Sequence, residues 1–514
     1  MTMRLKNTVN NAAANVALLL LRTMLMFVSR LVFVRTLGKT YLGVNGLMTN
    51  VLSMLSLAEL GISTAINFSL YQPLAESDME KVSVLMGFYR QAYQVIGAVV
   101  AGCGLLFLPF LDHLVKGGED IKHLRLIFLL YLFNSVSSYY ITYKETLINA
   151  AQKNYKIAPI NGIFTSLMIL MQMVFMILFQ NYFIYLIIQI AMGFFQRLAV
   201  NCYITKGFPQ VDFHCRQKLP EKEKNVLIRN VKGMLFHKLG EYSIYGTDNL
   251  VISAFINITM TGIYSNYSMV ISMINSILGV IFNSATASFG DLFVGRNREK
   301  QYEMYLRFEF LGYGIYGWCG ICLLGLLTPF IRLFFGAGYE LGTVTVLLLS
   351  LNFYMTGMRT PLNILKQAAG IYYEDRFVPL AQGAVNIALS VPLAVAIGID
   401  GVFIGTVVSG LIPQLIKPLI FYRKCFPDHP ASGYFLRHSR YLAKLMAALI
   451  PALWLADVWS VGEGLAEVGI RILVCSTVSA AVLYGLNRKS PECLYYMDLV
   501  KGLVRKVGKR WNNL

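Results

Sequence analysis

The sequence predicts an all-α membrane protein of about fourteen transmembrane helices, set out as two pseudo-symmetric six-helix lobes plus two C-terminal helices. Three observations predict it. First, the 514 residues are 56% hydrophobic and only 14% charged, with mean hydropathy +0.56. A soluble domain carries about 25% charged residues, so too little polar surface remains to face water. Second, the apolar residues fall in blocks of about 20, the length a helix needs to cross hydrocarbon. Third, the 45 Lys and Arg, set against 27 Asp and Glu, gather between those blocks in alternate loops.

The blocks place spans at 12–35, 42–70, 82–111, 124–146, 156–179, 182–204, 230–257, 260–288, 307–335, 341–365, 377–397, 400–422, 441–461 and 468–487. Lipid offers the backbone no hydrogen-bond partner, so each span is read as a helix. A barrel would need short alternating segments, and Val344 to Leu349 do not alternate. The first block contains Arg22 and Arg30 and no convincing cleavage site, so it reads as a retained helix.

Charge gives an independent test. With Arg4 and Lys6 in the cytoplasm, the loops on that side hold Lys153 and Lys156, Lys206 to Lys232, Arg296 to Arg307, Lys417 to Lys444, and the tail from Arg488. The opposite loops hold little beyond Lys39, Lys116, Lys122 and Arg332. The bias is roughly six to one in the sense required of cytoplasmic loops. Both termini are therefore expected inside, in a bacterial cytoplasmic membrane. The net charge of +18 is this bias and not a nucleic-acid surface.

The chain also repeats itself. Gly43-Val44 and Gly262-Ile263 follow the first span of each half, and Glu80-Lys81 and Glu299-Lys300 open the third at the same spacing. Leu108-Pro109-Phe110 with Gly117 recurs as Thr328-Pro329-Phe330 with Gly336 and Gly338. Ala150-Ala151-Gln152 with Tyr155 recurs as Ala368-Ala369-Gly370 with Tyr373. Six spans per repeat make the repeats parallel, about an axis near the membrane normal. The expected organisation is an N-lobe at 1–204, a cytoplasmic linker at 205–228, a C-lobe at 229–424, spans 13 and 14 within 425–487, and a basic amphipathic tail at 488–514. In that tail Leu494, Met497, Val500, Leu503, Val504, Val507 and Trp511 form a stripe among lysines and arginines. This is the pattern of a helix lying on an anionic leaflet.

Intramembrane polar groups carry the functional signal, since a charge at the bilayer centre costs on the order of 2.5–3.5 kcal/mol on insertion scales. Span 1 places Asn11, Asn15, Arg22 and Ser29 on one helical face, with Arg30 beside it. Span 2 places Ser56, Glu59, Ser63 and Asn67 on one face. Span 7 carries Lys238, Glu241, Tyr245, Asp248 and Asn249, and span 8 carries Ser268, Ser272 and Asn275. The simplest arrangement turns these faces toward a shared aqueous cavity. The cations in it suit an anionic ligand, because the planar fork of arginine binds two phosphate oxygens. Arg22, Arg30 and Lys238 are the candidate pyrophosphate ligands. Asn15, Ser29, Glu59, Ser63, Asn67, Tyr245, Asn249 and Asn275 are candidate cavity lining, and Glu59, Glu241 and Asp248 are candidates for coupling H+ or Na+. Structural roles compete: Arg22 can pair with Glu59, and Lys238 with Glu241 three residues on. Arg35, Arg90, Lys144, Glu145, Arg197 and Glu309 lie near span ends, where long side chains snorkel.

Soluble-enzyme signals are absent. There is no zincin motif, phosphate-binding loop or dinucleotide fingerprint, and the longest loop, about 25 residues, is too short for an ATPase domain. No catalytic residue, metal or organic cofactor is expected. Trp318-Cys319-Gly320-Ile321-Cys322 has redox-motif spacing but sits in an apolar helix, which makes both thiols small buried groups.

Arg35-Thr36-Leu37-Gly38 followed by Tyr41-Leu42-Gly43 resembles the opening of the polysaccharide (Wzx-type) flippases in the multidrug/oligosaccharidyl-lipid/polysaccharide exporter superfamily. Gly246 to Ser253 with Gly262 to Tyr267, Pro329 to Tyr339 and Gly398 to Val402 resemble the same family. The resemblance implies two six-helix lobes in a V that rock in alternating access. It implies a cargo of undecaprenyl-pyrophosphate-linked oligosaccharide repeat units, an anionic lipid-linked glycan. It also implies a protein that works among membrane lipids as a monomer beside polysaccharide assembly enzymes, with no nucleic acid partner. Lipid II flippases and multidrug–cation antiporters share the superfamily. A membrane glycan polymerase would need a large outer loop that this sequence lacks.

Overall fold

The computed structural model describes residues 2–511 apart from 57–65, 68, 118–120, 218, 222, 226, 229–245, 285–297, 370, 372–373, 461 and 463. Side chains are described from Arg22 to Gly502, except at Gln367. The long helices are α1 (Thr2–Leu55), α2 (Met79–Phe107), α3 (Leu124–Thr142), α4 (Ala158–Phe179), α5 (Tyr182–Gly207), the short α6 (Thr247–Val251), α7 (Ile258–Asn283), α8 (Arg298–Phe335), α9 (Thr343–Met358), α10 (Thr360–Ala368), α11 (Val378–Ile397), α12 (Ile399–Cys425), α13 (Ser432–Val458), α14 (Leu465–Asn487) and α15 (Pro491–Trp511). The described residues contain no strand. Among the described residues ten helices are long and apolar enough to cross a membrane, and the all-α membrane architecture is as the sequence predicts.

Four expected spans lie outside that ten, each for a definable reason. Spans 12–35 and 42–70 meet within α1, which is two helices joined across the non-helical Gly38, φ +77, so the break falls in the expected gap; the side chains of 12–21 and residues 57–65 lie outside those described. Glycine adopts that left-handed backbone without a Cβ clash. Most of 230–257 lies outside the described residues. The span 341–365 is broken at Arg359 into α9 and α10. Pro361 cannot donate an amide back to the preceding turn, and Arg359 instead donates from Nη1 to the Gly410 carbonyl at 3.4 Å and from Nη2 to Thr356 Oγ1 at 3.1 Å.

The chain clusters into two compact units, Met1–Ser265 and Asn266–Leu514, the division falling inside α7. In the first, local chemistry sets the helix ends. Asp78 caps α2 by accepting from the Lys81 amide at 2.9 Å, and Asn181 caps α5 through the Phe183 amide at 2.8 Å. The stretch after α5 folds back onto α2. The Asp212 amide reaches Ser83 Oγ at 2.9 Å, Lys81 pairs with Glu223 at 3.1 Å, and a Cβ at Gly87 would collide with the Cys215 carbonyl.

In the second unit α11 and α12 form a tight hairpin turned at Gly398, φ +70. Ser390 Oγ, its hydrogen bonded to the Val402 carbonyl at 3.0 Å, fills the space a Cβ would need at Gly405. α8 is the central post, with α9, α13 and α14 packed on it. Trp318 Nε1 donates to the Ser476 carbonyl at 3.1 Å, and Cys322 lies 3.7 Å from Ser476 Oγ. Arg307 stacks at 3.9 Å on the ring of Tyr495 in α15, and the Tyr496 hydroxyl donates to the Arg307 carbonyl at 3.0 Å.

The expectation that span-end charges snorkel is corrected at three places. Glu309 is 1% exposed. It accepts from Arg437 Nε at 2.8 Å and from the Tyr305 hydroxyl at 3.0 Å, while Arg437 also donates to the Tyr422 hydroxyl at 2.5 Å. Lys144 is buried, with Nζ on Thr205 Oγ1 at 2.7 Å and 4.3 Å from the Phe213 ring. Arg197 donates to Asn134 Oδ1 at 2.8 Å. In each case a partner stands on a neighbouring helix. Removing one partner of a buried ion pair costs about 3–5 kcal/mol, because the other charge is stranded. Glu309→Ala should therefore lower unfolding stability in detergent by that amount. Adding Arg437→Met should recover much of it, as followed by denaturant titration of helicity.

Candidate substrate-binding site

The first unit gathers a polar cluster around α1. Arg30 is half-buried and donates from Nη2 to Ser265 Oγ. Ser265 is buried at the head of α7 and passes its own hydrogen to the Gly262 carbonyl at 2.7 Å. Arg30 thus rests on a neutral hydroxyl, and it lies within electrostatic reach of the Tyr185 phenol on α5. Behind them Phe33, one turn along α1, takes the edges of Tyr182 and Tyr185 at 6.0 and 5.1 Å.

Tyrosines hold this face of α1. The Tyr131 hydroxyl on α3 donates to Asn45 Oδ1 at 2.5 Å and lies 3.1 Å from the Tyr182 hydroxyl. Tyr41 packs on Tyr182 at 4.9 Å. Asn45, Tyr131 and Tyr182 therefore tie α1 to α3 and α5. Hydrogen bonds of this kind are worth more in a low-dielectric interior than at a surface, and leaving one half-made is costly.

The other residues singled out in the sequence divide into three groups. Arg22 and Asn275 are exposed, and Ser29 is half-buried. Asp248 is buried, within electrostatic reach of Tyr264. Asn67 and Asn249 each enclose a side-chain oxygen that has no hydrogen-bond partner among the described residues. Enclosed amide oxygens of this sort are acceptors held ready for a donor. Glu59, Ser63, Lys238, Glu241 and Tyr245 lie outside the described residues, as does the side chain of Asn15. The structure thus brings Arg30 to Ser265, and Arg22 does not share that contact. Among the described residues no three His, Cys, Asp or Glu side chains group to hold a metal.

The sequence reading missed Asn45, Tyr131, Tyr182, Tyr185 and Ser265. Tyr182 and Tyr185 stand three apart on one face of α5, with rings 5.8 Å apart and nearly parallel. That spacing was a visible signal, but a tyrosine near a helix start also reads as an interfacial anchor.

No protein-family model matches the chain, and no curated protein matches it. Solved structures do. A lipid II flippase, MurJ, in an inward closed conformation superposes with TM-score 0.65 at 15% identity, covering 91% of this chain and 99% of its own. An inward-facing multidrug resistance MATE family transporter of the MOP superfamily gives 0.53 at 13% identity over 78% of this chain and 95% of its own. A Vibrio cholerae MATE transporter gives 0.51 at 12% over 82% and 98%. This chain has their fold. It is a multi-pass membrane protein, and these structural neighbours are transporters and flippases, not enzymes.

The tyrosine–asparagine tie makes a measurable claim about the cluster. Asn45→Ala and Tyr131→Phe should each destabilise the protein, and in a double-mutant cycle they should couple by about 0.5–3 kcal/mol. Additive losses in thermal melts would break the link.

Proposed function

We propose that the chain is a flippase that moves undecaprenyl-pyrophosphate-linked oligosaccharide repeat units across the cytoplasmic membrane by alternating access, for capsule, exopolysaccharide or O-antigen assembly. The observation that carries this reading is Arg30, a guanidinium on α1 that donates to the hydroxyl of Ser265. A phosphate beside that guanidinium would gain a charge-assisted fork. Arg22, exposed two turns away on α1, supplies a second cation along the same helix, and Lys238 is proposed as a third. Asn67 and Asn249 offer acceptors to sugar hydroxyls. Without a nucleotide-binding domain, the energy would come from an ion gradient, H+ or Na+, with Glu59, Glu241 and Asp248 as proposed coupling groups.

A second reading has a specific observation in its favour. The lipid II flippase shares the fold over 91% of this chain, and its cargo, named in its description as lipid II, would also suit a cationic site. A multidrug–cation antiporter calls for the opposite cavity charge and is disfavoured by arginines on α1.

Deletion of the gene should leave lipid-linked glycan accumulated on the inner leaflet and strip polysaccharide from the surface. Arg22→Ala with Arg30→Ala should abolish glycan export from a normally folded, membrane-inserted protein while leaving drug efflux unaffected. Export at wild-type level from that double variant would remove the chemical basis of the assignment. Rescue of a lipid II flipping defect by the intact chain would select the second reading.

A further inference from the structure

Where α5 ends, the first unit collects three cations around a single carboxylate. Arg90 on α2 donates from Nη1 to Nδ1 of His214. Lys144, just past the end of α3, is buried and places Nζ on Thr205 Oγ1 at 2.7 Å. The buried ring of Phe213 covers that ammonium at 4.3 Å. Arg90 and Lys144 lie within electrostatic reach of each other. Arg197 on α5 spends its two Nη groups on Asn134, at 2.8 Å from Oδ1 and 3.4 Å from the carbonyl oxygen. The carboxylate is Glu145, within electrostatic reach of Arg197.

The partners these cations hold are a hydroxyl, an imidazole, an amide and the face of a ring. Each is a dipole and none is an anion. An imidazole that accepts at Nδ1 from a guanidinium is itself uncharged. Like charges gathered in a membrane interior repel, and such groups commonly mark a ligand or ion site.

The polar row beside them is also incomplete. Gln189, Arg197, Asn201 and Thr205 fall on the every-fourth-residue row of α5. Gln189 Oε1, Arg197 Nε and Asn201 Oδ1 are enclosed and have no hydrogen-bond partner among the described residues. Arg197 Nε is a donor, so the partner it lacks is an acceptor.

This cluster is separate from the one around Arg30. Tyr185, within reach of Arg30, precedes Thr205 by 20 residues on α5, about 30 Å at 1.5 Å of rise per residue. Thr205 stands instead beside Lys206, at the end of the unit that carries the basic loops.

We propose that Arg90, Lys144 and Thr205 form a second anion site, on the basic-loop face of the first unit, that takes a pyrophosphate group, free or carried on a lipid. A guanidinium fork holds two oxygens of one phosphoryl group, and an ammonium meets another as a point charge. Two neighbouring cations on different elements therefore suit a diphosphate. Phe213 and His214 belong to the stretch after α5 and to no helix, so a ligand can take their place with the helices unmoved. The site rests on charges outside α1 and does not depend on the cargo proposed above.

The test uses the full chain in detergent with Arg22→Ala and Arg30→Ala already in place, which silences the cargo site. Inorganic pyrophosphate should still bind, at one site per chain by calorimetry. It should also slow maleimide labelling of Cys202, an exposed thiol within electrostatic reach of Lys144. Cys103, exposed near the other end of α2, should label at an unchanged rate. Lys144→Met and Arg90→Gln should each weaken binding about tenfold, the loss of one charge-assisted contact. Lys144→Arg should keep it, which separates lost charge from lost packing. Should Lys144→Met fail to fold, Arg90→Gln decides alone. Farnesyl pyrophosphate distinguishes the sources: tighter binding than inorganic pyrophosphate selects a lipid-borne group, and equal or weaker binding selects the free anion. The site is overturned by absence of binding in this background, by binding that Arg90→Gln leaves unchanged, or by equal protection of Cys103 and Cys202. Glycan export is measured separately, so failure of the cargo reading leaves this result standing.

Discussion

A helix that stops inside hydrocarbon leaves amides and carbonyls with no water to meet them, and this constraint organises the whole chain. Each break must bring its own partners. At Gly38 a single non-helical glycine breaks the helix and a second helix follows directly. At Arg359 the guanidinium of the breaking residue bonds a carbonyl of α12. At Asn257 the partners come from a loop far away in sequence, and Asn257 itself caps α7 by accepting from the Met260 amide at 2.7 Å. The three breaks therefore differ in character. The first is a property of glycine, the second is held by a buried cation, and the third is completed by a loop far away in sequence.

The same economy governs charge. A buried carboxylate survives only where its desolvation is offset by close donors. Glu309 has Arg437 and Tyr305, with His438 Nδ1 at 3.6 Å. Asp375, 2% exposed, has Lys366 and, at 3.9 Å, Lys417. These are buried acid–base clusters inside the second unit, and they tie one segment of the chain to another. In the first unit Arg30 donates to the hydroxyl of Ser265 on another helix, so a basic side chain there joins two helices through a hydroxyl.

Much of the architecture was legible in the sequence, because lipid imposes one rule on every span. Ten spans among the described residues follow from apolar block length, and the tail helix from its amphipathic stripe. The break at Gly38 falls in the gap expected between the first two spans, whereas Pro361 announces the split at Arg359 only when the span is known to be long enough to break. Of the site, Arg30 was readable because an intramembrane arginine is expensive. Tyr131, Tyr182 and Tyr185 were not, because an amphipathic ring reads equally well as core, anchor or ligand. Glu309 looked like an interfacial acid until Arg437 was found beside it, 128 residues on. Such pairings are tertiary facts, and one sequence without relatives carries no record of them.

The tail has a mechanical meaning of its own. Tyr495 and Tyr496 clasp Arg307, so α15 is pinned to the post on which α13 and α14 are mounted. Leu494, Leu499 and Val500 remain exposed, the aspect such a helix sinks into the headgroup layer. Any tilt of that post must then drag an outrigger through the lipid surface. The stiffness and charge of a leaflet that receives this helix would then act as a load on the helix bundle, set by the membrane.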